Sequence, residues 1–103
     1  MFGIFSKAKK NKIAKYLDND PVFLDVRTAS EFQKDHIAGS INAPVHKLDN
    51  YIDQLDINRP VMTYCAMGGR SAIAARKLKA RGFKVVDAQG VGFVRKFMNA
   101  MVG

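Results

Sequence analysis

Cys65 is the only cysteine in the chain, and it stands in "YCAMGGRSA", Tyr64 to Ala72, directly after an apolar run and ahead of Arg70. A thiol reacts as its thiolate, and an isolated cysteine with a pKa of about 8.5 is mostly protonated at neutral pH. Gly68 and Gly69 let backbone N–H groups turn inward around a small volume. A helix beginning at about Arg70 adds unpaired N–H donors and a partial positive charge. Such a cradle holds an anion, lowers the thiol pKa and makes Cys65 a nucleophile. The competing reading is a buried cysteine that acts as a small hydrophobe at a strand end. The strand before, the glycine loop with Arg70, and the helix after favour the nucleophile.

These residues need a scaffold, and the chain supplies one of alternating strands and helices. "VFLDV" (22–26), "PVMTYC" (60–65) and "FKVVDA" (83–88) are short apolar runs rich in β-branched residues, as in buried parallel strands. Thr28 or Ser30 can cap "SEFQKDH", and "HKLDNYIDQL" places Leu48, Ile52 and Leu55 on one helix face. From Ser71 to Arg81, Ala74, Ala75 and Leu78 share a face, and Gly82 stands where a helix end prefers a left-handed residue. Further helices are expected near 9–18 and 92–101, and "INAPVH" gives either a short strand or a turn. The pattern is α/β, with a mainly parallel central sheet and helices on both faces. Residues 1–103 make one domain, with residues 1–18 a basic helical N-terminal segment. In an open sheet of this kind ligands bind beyond the carboxyl ends of the strands, where Cys65 lies.

Composition bounds the function. An apolar fraction of 48% and a charged fraction of 25% in 103 residues are those of a folded domain with a single core. No apolar run approaches the roughly 20 residues of a membrane-spanning helix. The apolar-then-basic start "MFGIFSKAKKNKIAKYL" reverses the order of a secretory signal, so a cytoplasmic protein is expected. Seventeen Lys and Arg against nine Asp and Glu give a formal charge of +8, which attracts anions of every kind. Lysine-rich faces without interleaved aromatics give weak support for nucleic acid. Zinc calls for four ligands, and His36 and His46 stand at ligand spacing neither to Cys65 nor to each other. No metal and no cofactor are expected. A Cys–His pair formed through the fold stays open.

"YCAMGGRSAIAARKLKARGFKVVDAQG" resembles the C-x-x-G-x-R-S loop and following helix of rhodanese domains. "FLDVRTASEFQKDHIAGSINAP" is similar to their N-terminal D-V-R…E-F…H-I-x-G-x-x-N-x-P motif, and the resemblance runs from about Val22 to Phe97. The ending "VVDAQGVGFVRKFM" is most similar to single-domain rhodaneses of the bacterial phage-shock-protein E type, although Gly90-Val91-Gly92 and the lack of tryptophan depart from many members. The resemblance implies a sulfurtransferase that takes sulfane sulfur from thiosulfate onto Cys65 as a persulfide and passes it to cyanide or a cellular thiol. It also implies that N–H groups of Ala66, Met67, Gly68, Gly69, Arg70 and Ser71 hold the persulfide, with Arg70 steering thiosulfate. Asp25, Arg27, Glu31 and His36 match a motif that is structural in the family. Arg27 and Glu31, four apart and opposite in charge, are expected to form a local ion pair. Gly39 and Asn42 read as turn residues. A monomer or weak dimer is expected.

Two other classes compete. Cysteine phosphatases and arsenate reductases use C-x5-R, whereas only "AMGG" separates Cys65 from Arg70, which suits one sulfur better than a phosphoryl group. A sulfur-carrier module without catalysis of its own would use its basic surface to dock an acidic partner or a tRNA, with Cys65 as relay.

Overall fold

The computed structural model describes residues 6–102, with side chains to residue 100. The apolar start, Met1 to Phe5, lies outside the described residues. The strands are β1 (Val22–Asp25), β2 (Ile41–Asn42), β3 (Val61–Cys65) and β4 (Val85–Gly90), all parallel in the order β2-β1-β3-β4. Helices α1 (Lys7–Leu17), α2 (Ala29–Lys34), α3 (Asp49–Ile52), α4 (Gly69–Ala80) and α5 (Val91–Val102) connect and flank them.

Both faces of the sheet are covered, because side chains alternate along each strand. On one face Val22, Leu24, Val61, Cys65 and Val85 meet Leu48 and Ile52 together with Ala74, Ala75 and Leu78 of α4. On the other, Met62, Tyr64, Val86 and Ala88 meet Ile13 of α1 and Val94 of α5. This is the α/β architecture expected from the runs of apolar residues.

Local chemistry sets the helix ends. Thr28 caps α2: its hydroxyl accepts from the N–H of Glu31, whose carboxylate accepts from the N–H of Thr28, and two otherwise orphan donors are satisfied. Gly82 closes α4 at φ +93°, with Phe83 N–H on the Leu78 carbonyl and Gly82 N–H on that of Lys79. That pair of bonds is a Schellman closure, which favours glycine at the left-handed position. Phe83, expected to open β4, therefore belongs to the helix stop, and the strand begins at Val85.

The expected helix over "HKLDNYIDQL" is shorter. A 3₁₀ turn at Val45–Lys47 precedes the single turn α3, although Leu48 and Ile52 are buried as their spacing implied. "INAPVH" supplies the two-residue β2 and then this turn. Asn42 is the second residue of β2, not a turn residue. Its amide donates to the carbonyls of Asp25 and Arg27, at 3.0 Å each, and so pins the end of β1. Gly39, at φ +84°, is in a turn as expected.

Candidate active site

Cys65 is the last residue of β3 and is 1% exposed. The chain turns back over it at Gly68, whose φ of +120° is one that residues with a Cβ rarely adopt. The turn aims the Gly68 N–H at the Cys65 Sγ, 2.9 Å away. The Ser71 hydroxyl lies 3.6 Å from the sulfur, and the N–H groups of Met67 and Ser71, in the same loop, favour its charged form. Buried Ser71 is fixed in turn: while Cys65 is a thiol its hydroxyl donates to the Gly68 carbonyl at 2.9 Å, a proton that turns to the sulfur when Cys65 ionises, and its carbonyl accepts from the buried Thr63 hydroxyl at 3.0 Å. Thus β3 holds the start of α4 by one side chain and presents the nucleophile with another.

Burial by itself would push the Cys65 thiol up. Against it act the Ser71 hydroxyl and the N–H groups of Ser71, Gly68 and Met67, and together they hold the thiol below its ordinary range. Hydrogen bonds to the charged form win over desolvation of that form.

The far wall of the loop is a bulge in β4. Thr63 pairs with Asp87 but Cys65 pairs with Gly90, so β4 carries one extra residue there. Gln89 takes φ +65°, and its N–H donates to the Asp87 carboxylate at 2.9 Å. Gly90 is tight against the loop, since a Cβ there would lie 2.8 Å from the Ala66 carbonyl oxygen. Neither feature was legible beforehand. The only hint was the Gly90-Val91-Gly92 triplet. Gly69, expected to share the turning, is the first residue of α4 with open space about its Cα, so Gly68 alone makes the left-handed turn.

The charged residues depart most from expectation. Arg27 forms no pair with Glu31. It lies buried and donates to both carboxylate oxygens of Asp25, from Nε to Oδ1 at 3.0 Å and from Nη2 to Oδ2 at 2.7 Å, and to the Asp35 carbonyl at 2.5 Å. Two residues apart on an extended strand end, Asp25 and Arg27 share one face of the sheet. Glu31 turns instead to Arg70, with contacts of 2.7 and 3.1 Å that tie α2 to the first turn of α4. The loop arginine expected to steer a donor is thus held by a carboxylate. His36 stacks on Phe32 with ring centroids 3.7 Å apart, and its Nδ1 lies 2.8 Å from the Phe32 carbonyl oxygen. His46 is exposed. No group of three metal-ligating side chains occurs among the described residues.

The site is thus a buried cysteine at the carboxyl end of a parallel strand, with the amide of a glycine turn on its sulfur. Residues 9–93 match the family described as "Rhodanese-like domain", and the chain belongs to that family of sulfurtransferases and sulfur carriers. It is 35% identical to the thiosulfate sulfurtransferase GlpE of Coxiella burnetii over 72% of this chain and 69% of that protein. It is 29% identical to a tRNA sulfurtransferase of Desulfurococcus amylolyticus over 84% of this chain, but spans only 18% of that longer relative. In structure it is similar to a rhodanese-related protein of Thermoplasma volcanium, with a TM-score of 0.70, 27% identity and 88% of each chain covered. No described helix is long and apolar enough to cross a membrane.

Proposed function

We propose that the protein transfers sulfane sulfur through Cys65, with thiosulfate as donor and cyanide or a thiol as acceptor. The observation that carries this reading is the buried Cys65 at the end of β3 with the Gly68 N–H aimed at its sulfur from 2.9 Å, in a loop that favours the thiolate. The Cys65 thiolate attacks the outer sulfur of thiosulfate, the S–S bond breaks, and sulfite leaves with the electron pair. Cys65 then carries a persulfide whose negative charge sits on the outer sulfur. An acceptor thiolate or cyanide attacks that outer sulfur and forms a new persulfide or thiocyanate, while Cys65 leaves as the thiolate. Charge is conserved in both steps.

Each anion on this path is held by donors that are already in place, so little reorganisation is needed as the charge moves. Cys65 is the catalytic residue, and the loop Ala66 to Ser71 is its binding cradle. The similarity to the thiosulfate sulfurtransferase GlpE supports the choice of donor. The stretch "VVDAQGVGFVRKFM" supports the phage-shock-protein E type as the subtype proposed, acting in the cytoplasm as a monomer or weak dimer. The amide cradle, sized for one atom, disfavours phosphoryl transfer. The test compares the two chemistries in one preparation: thiosulfate and cyanide should give thiocyanate, and an aryl phosphate should not be hydrolysed. Cys65-dependent phosphate hydrolysis that rivals sulfur transfer would overturn the reading.

A further inference from the structure

Arg70 is the second residue of α4, five positions after Cys65, and its guanidinium pKa is raised first by the bond to Glu31 and in lesser part by the charge of Cys65. Glu31 holds it by two contacts, and both side chains are about one-third exposed at the rim of the loop. Arg27, the other nearby guanidinium, is neutralised by buried Asp25. The approach to Cys65 therefore presents cations whose charge is already matched. A dianion gains little there that a monoanion does not.

We propose that Glu31 is a donor-specificity residue: by clamping Arg70 it keeps the rim of the Cys65 cradle close to neutral, so that thiosulfate gains little from its second charge and singly charged persulfide anions compete with it as donors. This rests on the sulfur-transfer reading above and concerns its substrate class. For a hydropersulfide donor the Cys65 thiolate attacks the outer sulfur, the S–S bond breaks, and the donor leaves as its thiolate, so atoms and charge balance. Glu31 touches neither donor nor thiol; it acts through Arg70.

The capping box allows a clean test. Glutamine is accepted at the third helical position of such a box, so Glu31→Gln keeps the α2 cap while removing the charge on Arg70's partner. Thr28→Ala does the reverse: it removes the cap and the Thr28 hydroxyl's bond to Glu31 Oε1 while leaving the carboxylate charge opposite Arg70. At low salt E31Q should lower KM for thiosulfate on the order of 3- to 10-fold, with kcat and KM for cysteine hydropersulfide changed less than about 2-fold. In about 1 M salt the gain should vanish.

A second readout is independent of sulfur transfer. The ratio of Cys65 alkylation rates with iodoacetate and iodoacetamide reports the charge met by an incoming group, because access to the thiol cancels. E31Q should raise that ratio several-fold and T28A should leave it unchanged. An unchanged ratio in E31Q, or an equal rise in T28A, would overturn the proposal even if thiosulfate turnover is normal. A wild type that transfers no sulfur would remove the reading of function, while the alkylation ratio would still decide the role of Glu31.

Discussion

At the carboxyl end of the sheet, where Cys65 lies, Arg27 faces Asp25, Arg70 faces Glu31 and Arg95 faces Asp35. At the amino end Lys12, Lys15 and Lys84 line a groove of about 480 Å³ beside Tyr16. There partial burial, then the like charges of Lys79 and Lys9, pull the Lys12 ammonium below its ordinary range, and it sits 5.6 Å over the Tyr16 ring. The formal +8 is therefore not a field focused on the thiol. Cations gather at one end of the strands, while the anion at the other is stabilised by backbone amides. A basic composition told of anions in general; the chemistry rests on neutral dipoles.

The harshest way to break the comparison is to remove the group the amides serve. Cys65→Ser should lower thiocyanate formation by at least about 10³-fold with an unchanged circular dichroism spectrum. Retained turnover would place the nucleophile elsewhere. Displacing the amides comes next. Gly90→Ala drives a Cβ against the Ala66 carbonyl, and a shift of the loop by a fraction of an ångström should cost roughly 10- to 100-fold in kcat/KM. Gly69→Ala, with open space about it, should stay within about 2-fold.

Ser71→Ala sharpens the account of the thiolate. Removing a hydroxyl that favours the charged form should raise the midpoint of Cys65 alkylation against pH, by about half a unit to one unit. A fall would mean that burial by Ser71 matters more than its hydrogen bond. At the other end, Lys84→Ala lies about a strand length from Cys65, beyond the roughly 8 Å Debye length at physiological salt, so KM for thiosulfate should change less than about 2-fold. The smallest effect concerns acid stability. Glu31, lowered to about 2 chiefly by its bond to Arg70, stabilises the fold fully above its unfolded value of about 4.3 and loses that contribution as pH falls to about 2. Wild type and E31Q should thus differ in thermal midpoint at neutral pH and converge near pH 2.

What could be foreseen followed from local periodicity. The runs at Val22, Val61 and Val85, the apolar face of Ala74, Ala75 and Leu78, and the glycine stop at Gly82 are each decided within a few residues of chain, and they suffice to put Cys65 at the mouth of β3. What escaped is long-range. Glu31 and Arg70 meet across 39 positions, so neighbouring charges in the sequence suggested the wrong partner for Glu31. Arg27 went to Asp25 because burial of a guanidinium demands a bidentate carboxylate, and Asp25 is the one fixed beside it on the strand. The bulge at Gln89 has no residue signature, since glutamine rarely adopts positive φ. It follows from the need to bring Gly90 against Ala66.

The most direct measurement is the intact mass of the protein after incubation with thiosulfate, before and after dithiothreitol. If the loop amides around Cys65 make it a sulfur carrier, the mass rises by one sulfur atom, the adduct maps to Cys65, and dithiothreitol removes it. An unchanged mass under these conditions, in protein whose Cys65 is still alkylated readily at neutral pH, would contradict the account: the cradle would hold a reactive thiolate but not a persulfide.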